Sequence, residues 1–284
     1  MNRTTLSRFS IQMITMMFAV LLGSCKQKGK PTYNQTNSKA EWQLIFEDNF
    51  EQDLSQWNVW YGGAYNNEIQ LYRPEQLSLE EGVLQIRTER QAIQGPTTNV
   101  DSTQKSFEYV SGRIESKELF GFSKKEGDRE YRFVSRLKLP KGVGMWPAFW
   151  TYGDPWPTQG EIDILEARGN QPKQFQSNLF YGPSPGISIN KDTEVEYETD
   201  VNLTDDFFVY EMIWKADRIE IWFESELKHT YLVNANNNID KMALRKQKVV
   251  FNNAVGGWFI GNMRSESFAN SAVMEVDWVR VYKR

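Results

Sequence analysis

Apolar and polar residues alternate with a period of two along most of this chain, in short runs broken by glycine, proline, asparagine and acidic residues. That period marks strands with one buried face. Residues 77–79 and 83–88 flank Glu80-Glu81-Gly82 and predict a hairpin. Residues 131–139, closed by Pro140 and Gly142, predict another strand. Residues 208–214 and 218–223, on either side of Lys215-Ala216-Asp217, form a second hairpin, and residues 274–282 supply a long closing strand. No helix longer than a turn or two, around residues 239–245, is expected, and there is no internal repeat. The fold class implied is all-β, a β-sandwich of jelly-roll type with two antiparallel sheets.

One run departs from simple alternation. Glu161-Ile162-Asp163-Ile164-Leu165-Glu166 sets three carboxylates in an apolar strand, where an unpaired buried charge costs several kcal/mol. Glu161 and Asp163 share a face, while Ile162 and Ile164 face a core. Glu166 has the wrong parity. A bulge near Leu165 would return it to the face of the other two acids, and such bulges are enriched beside active sites.

The first residues read as export machinery. Arg3 and Arg8 precede an apolar stretch from Ile11 to Leu22, too short to span a bilayer comfortably. Leu22-Gly23-Ser24-Cys25 resembles a bacterial lipobox, so residues 1–25 are expected to be a lipoprotein signal ending at the lipidated Cys25. Residues 26–40, polar and basic with Pro31, have almost nothing to bury and are expected to be a flexible tether. Residues 41–284 then form a single catalytic domain. The expected location is the bacterial outer membrane, on its surface or periplasmic face, with the lipid anchor as the only membrane contact.

Composition narrows the chemistry. Without residues 1–24 the chain carries 31 basic and 37 acidic residues, a balance that disfavours nucleic acid and anionic membrane as partners. The lone cysteine, Cys25, excludes an internal disulfide, and the lone histidine, His229, excludes a Ser-His-Asp triad or multi-histidine metal site. His229 falls on a surface turn or outer strand. Aromatics make up 14% of the chain, with 10 tryptophans, more than a core needs. Their flat faces and polar edges suit sugars. A monomer needing no cofactor is expected.

Chemistry therefore falls to carboxylates. Two carboxyls flanking a bond are the minimum for glycoside cleavage, and a separation of about 5–5.5 Å implies a covalent intermediate and retention. Glu161 and Glu166 on one bulged strand should lie near that range. Mutual repulsion, with Asp163 between them, would keep one ionised and raise the other's pKa. A calcium site or a solvated acidic face would be the non-catalytic uses of the same acids.

Gly144-Met145-Trp146-Pro147-Ala148-Phe149-Trp150, Trp156-Pro157, Gly160 and the acidic run together resemble the active-site region of glycoside hydrolase family 16, in the branch of laminarinases, agarases, carrageenases and endo-β-galactosidases. In the same order stand Phe46-Glu47-Asp48-Asn49-Phe50, Asn66-Asn67-Glu68-Ile69-Gln70-Leu71-Tyr72, Ser111-Gly112-Arg113-Ile114, Asn253-Ala254-Val255-Gly256-Gly257 and Val276-Asp277-Trp278-Val279-Arg280-Val281-Tyr282. The resemblance implies Glu161 as nucleophile, Glu166 as general acid and base, and Asp163 as the carboxylate that holds the nucleophile's geometry and charge. It implies Trp146 and Trp150 as walls of the subsites, and Asn66, Arg113, Trp156 and Trp258 as further sugar contacts. An open concave cleft, hence cleavage within a chain, follows from the same likeness. Some members hold a structural calcium, for which Asp277 could serve, although Asn49 stands where an acid is commoner.

Two positions depart from the laminarinase pattern. In Asn178-Leu179-Phe180-Tyr181-Gly182 and Asp206-Phe207-Phe208-Val209-Tyr210, Phe180 and Phe208 replace histidines. A phenyl ring cannot hydrogen-bond a hydroxyl, so the subsite near Phe180 should prefer a CH face or a methyl group. The expectation is thus an endo-acting retaining hydrolase of internal β-linkages in a β-1,3/1,4-glucan or β-galactan. An endo-β-galactosidase on lactosamine chains, such as mucin O-glycans or keratan, is the alternative. A transglycosylase with the same acids, a non-catalytic glycan-binding jelly roll and a calcium-dependent structural domain are the remaining rivals.

Overall fold

The computed structural model describes residues 41–122, 130–243 and 245–284. The expected export signal, Cys25 and the expected tether lie outside the described residues. In chain order the strands are β1 (Gln43–Asp48), β2 (Trp57–Val59), β3 (Gln70–Tyr72), β4 (Leu77–Glu80), β5 (Val83–Pro96), β6 (Gln104–Ser111), β7 (Arg113–Ser116), β8 (Tyr131–Lys138), β9 (Met145–Tyr152), β10 (Glu161–Glu166), β11 (Gln174–Phe180), β12 (Val195–Glu198), β13 (Phe208–Trp214), β14 (Arg218–Phe223), β15 (Glu226–Leu232), β16 (Lys248–Val255) and β17 (Ser271–Lys283). Two short helices accompany them, α1 (Ile239–Met242) and α2 (Gly257–Ile260).

They form two sheets. One runs β15-β14-β13-β8-β17-β5-β6-β3, with β1 added on β17 and β4 on β5; the other runs β12-β11-β10-β9-β16-β7-β2. Neighbours in space are distant in sequence, as when β16 lies between β9 and β7, which is the crossing pattern of a jelly roll. Only the β3–β6 pair is parallel among the described strands. The expected hairpins are β4–β5 and β13–β14, the closing strand is β17, and the expected turn of helix is α1.

Alternation explains which residues meet between the sheets. Along β14, Ile219, Ile221 and Phe223 are buried while the residues between them are half-buried. Phe133, Leu137, Tyr210, Met212 and Trp214 from one sheet pack with Phe149, Ile162, Ile164, Leu165 and Phe251 from the other. Phe251 stacks on Phe149 with ring centroids 4.9 Å apart and tilts against Trp57 at 5.9 Å, so it joins β16, β9 and β2. His229 sits on the edge strand β15, its ring against Tyr231 at 4.5 Å. Phe208 likewise packs on Phe223 at 5.7 Å and belongs to the packing of its own sheet.

Phe251 is fully buried, so truncation leaves a cavity beneath the floor of the seven-stranded sheet. Phe251→Ala is expected to lower unfolding free energy by about 3–5 kcal/mol, read as a lower midpoint with unchanged slope in urea denaturation.

Candidate active site

β10 lies between β9 and β11, and its register with both breaks at the same place. On β9, Asp163 faces Trp150 and Leu165 faces Phe149, leaving Ile164 unmatched; on β11, Asp163 faces Asn178 and Glu166 faces Gln176. The extra residue is a bulge. Its effect is to send Ile164 and Leu165, though adjacent, both into the core, and to return Glu166 to the face of Glu161 and Asp163. Gly160 begins the strand with a positive φ of 83°, and a Cβ there would stand 2.7 Å from the Met242 side chain. Only glycine fits that entry.

All three acids line one cleft of about 650 Å³. Trp146, Trp150 and Trp156 share it, as expected, and so do Asn66 and Arg113. The indoles serve the acids as well as shaping the walls. Trp156 Nε1 donates to Glu161 Oε2 at 2.7 Å, and Trp146 Nε1 donates to Glu166 Oε1 at 2.9 Å. Gln176 Nε2 approaches the other Glu166 oxygen at 3.5 Å. Trp150 donates instead to Asn252 Oδ1 at 2.7 Å.

Burial governs the charge of this cluster. It pushes Glu161 up to about 8, helped by the neighbouring Glu166 carboxylate and opposed by the Trp156 N–H. Glu166 rises to about 7, again mainly through burial, with the Trp146 bond pulling the other way. Asp163, buried with Glu166 and Glu161 on either side, is raised well above the usual carboxylate range. Its Oδ2 has no hydrogen-bond partner. Three charges cannot coexist there, so the cluster retains protons near neutral pH.

Two of the expected sugar contacts stand in distinctive surroundings. Trp258 is 71% exposed on α2 and is not part of the cleft lining; its backbone N–H donates to Asn66 O at 2.9 Å, so it fastens that loop. Arg113 reaches the cleft but is buried, its guanidinium 4.1 Å from the Trp60 ring and 4.9 Å from Trp150. Its charge is met by Glu115 at 2.6 Å, which also binds Lys248 at 2.8 Å and the Tyr152 hydroxyl at 2.9 Å. Arg113 thus lines the cleft and also supports the rings around it.

Sequence reasoning did not assign Glu68, Tyr72, Tyr152 or Asn252, all of which line the cleft. Glu68 is raised by burial, while hydrogen bonds from Gln70, Tyr72 and Asn66 partly oppose that rise. Asn252 Nδ2 donates to the Tyr72 hydroxyl at 3.1 Å, linking this group to Trp150. The available signal was an acid inside the otherwise apolar and amide run 66–72, the same anomaly that marked β10.

The residues considered for calcium are held by cations. Arg136 bonds Asp277 at 2.6 Å, and Arg280 donates to Asn49 at 3.4 Å. A guanidinium at each position disfavours a divalent cation bound by these two side chains, and no group of three His, Cys, Asp or Glu residues placed to hold a metal occurs among the described residues.

With this geometry in view, the model of glycosyl hydrolases family 16 matches residues 66–280. The chain belongs to glycosyl hydrolases family 16. Among relatives in the family, glucan endo-1,3-beta-glucosidase of Cryptopygus antarcticus is 30% identical over 263 residues, covering 84% of this chain and 91% of that one. Glucan endo-1,3-beta-glucosidase A1 of Niallia circulans is 28% identical over 267 residues, covering 84% of this chain. This chain spans only 38% of that relative's length. A solved structure described with endo-acting O-glycanases that prominent members of the human gut microbiota express to initiate mucin breakdown is 26% identical, with a TM-score of 0.70 over 88% of this chain and 93% of the other.

The buried acids give a pH-dependent stability. A carboxyl whose folded pKa is raised disfavours folding once the unfolded chain has ionised, so the burden is absent below Glu161's ordinary 4.5 and complete above about 8. Glu161→Gln removes it. The variant's melting temperature should exceed the wild type's by a margin that grows from pH 4.5 to pH 8; a margin constant with pH would contradict a buried proton-holding cluster.

Proposed function

We propose that this chain is an endo-acting retaining glycosidase that cleaves internal β-linkages of a β-glucan or β-galactan by double displacement. The observation that carries this is the bulged strand, which turns three carboxyls into one aromatic-walled cleft and gives each outer glutamate an indole donor. In the reacting protonation state of this cluster the proton sits on Glu166 and Glu161 is ionised. Glu161 attacks the anomeric carbon as the glycosidic bond breaks, and Glu166 gives its proton to the leaving oxygen. Glu166 then takes a proton from water as that water displaces Glu161. Asp163 stays protonated between them and limits the cluster's charge. The indole rings offer faces to the CH surfaces of successive sugars.

A second reading is favoured by one feature. Phe180 pairs with Glu161 across β10 and β11, and its ring lies 6.3 Å from Trp156. Next to Glu161, though outside the cleft lining itself, this apolar corner suits the extended CH face of galactose or an N-acetyl methyl group. The likeness to the O-glycanase structure points the same way, toward lactosamine chains. Laminarin, mixed-linkage glucan, keratan sulfate and mucin O-glycans, compared by mass of products, separate the two.

Glu161→Gln is expected to lower turnover at least about a thousandfold on any substrate of that panel. Proton NMR of the first product formed should show the β-anomer before mutarotation. Unchanged reducing-end release in the variant would overturn the catalytic role, and an initial α-anomer would overturn retention.

The chain's N-terminal pattern supports export and lipid anchoring at Cys25 in the outer membrane, with residues 26–40 as a tether. Cys25→Ser should move the protein from the membrane to the soluble fraction and abolish palmitate labelling. Continued membrane recovery without label would exclude this anchor.

A further inference from the structure

We propose that Arg168 is a positioning residue for Glu166, holding from behind both donors that orient that carboxyl; this deepens the reading of Glu166 as acid and base and rests on it. Arg168 follows β10 by two residues and does not line the cleft. Its guanidinium lies 4.0 Å from the Phe259 ring centroid, and its Nε donates to the Phe259 carbonyl at 3.1 Å. Phe259 in turn stacks on Trp146, with centroids 4.7 Å apart and planes 16° from parallel. Trp146 donates to Glu166 Oε1. One arm thus runs from the guanidinium over Phe259 to the stacked Trp146 and ends in a hydrogen bond.

The second arm is shorter. Arg168 Nη1 donates to Gln176 Oε1 at 3.4 Å, which fixes the amide so that its Nε2 faces Glu166 Oε2. One side chain therefore settles the orientation of donors to both Glu166 oxygens. The alternative use of Arg168 is its ion pair with Glu196 at 3.3 Å, but Glu196's side chain is 58% exposed. A pair that open to water contributes little, so it does not account for the arrangement.

The charge acts as well as the shape. Glu166 is faced by Glu161 from its own strand and by Glu194 from the segment before β12, whose charges favour its protonated form, with protonated Asp163 beside it and Glu196 beyond Arg168. Its β11 neighbour Gln176 and β9 neighbour Trp146 are uncharged. Arg168 is the cation that opposes these acids at Glu166. Lysine would keep the charge but not the planar stack or the forked donors.

The experiment compares Arg168→Gln, Arg168→Lys and Phe259→Leu with the wild-type enzyme, on whichever of laminarin and keratan sulfate it cuts. In Arg168→Gln, kcat should fall roughly tenfold with KM little changed, and the basic limb of kcat/KM should move up by about half to one pH unit, because loss of the cation lets Glu166 hold its proton longer. Arg168→Lys and Phe259→Leu should lose kcat with the limb in place. A wild-type kcat and limb in Arg168→Gln overturns the proposal. Should that variant not fold, wild-type kcat in Arg168→Lys overturns it instead. Glu166→Gln, measured alongside, separates the two levels: full activity there removes the role of Glu166 itself, whatever Arg168 does.

Discussion

Three carboxyls share a space too dry for three charges, and much of the surrounding architecture answers to that constraint. The bulge in β10 brings them together; without it Glu166 would face the interior, where nothing could solvate it. Once together they need donors, and these come from the edges of the tryptophans that wall the cleft. The aromatic content therefore has two jobs at once. Faces are left for a ligand while N–H groups are spent on Glu161, Glu166 and Asn252.

Beneath the rings, charge is neutralised in the same economical way. Arg113 is enclosed by Trp60, Trp150 and Tyr152, and Glu115 ties it to Lys248. Exposed pairs of this kind contribute little, but a buried and multiply bonded group resists movement because removal of one member strands the others. The floor of the cleft is consequently fixed by ionic contacts and its walls by ring stacking.

The strands of the fold were legible because burial on one face writes a period of two into the chain, as in β14 and β17. Even the irregularity in β10 was legible, since three acids in an apolar run violate that period in only one place. Contacts made across distant strands were not. Arg113 was legible as a cleft residue from its motif, but the rings of Trp60, Trp150 and Tyr152 that enclose it come from elsewhere in the sequence, and spacing within a motif carries no record of them. The exposure of Trp258 was illegible for a related reason: α2 begins at Gly257, whose φ of 75° turns the chain, and no local pattern says which way the next side chain will point. Glu68 was passed over although it is the same kind of anomaly as Glu161, an acid in a run that folds inward.

The indole hydrogen bonds have a mechanical corollary. Each indole is a rigid plate whose edge grips a carboxyl, Trp146 on Glu166 and Trp156 on Glu161, so tilt of the ring and hold on the proton change together. On the proposed reading, a sugar lying on either face would be felt at the reacting groups through the plate itself.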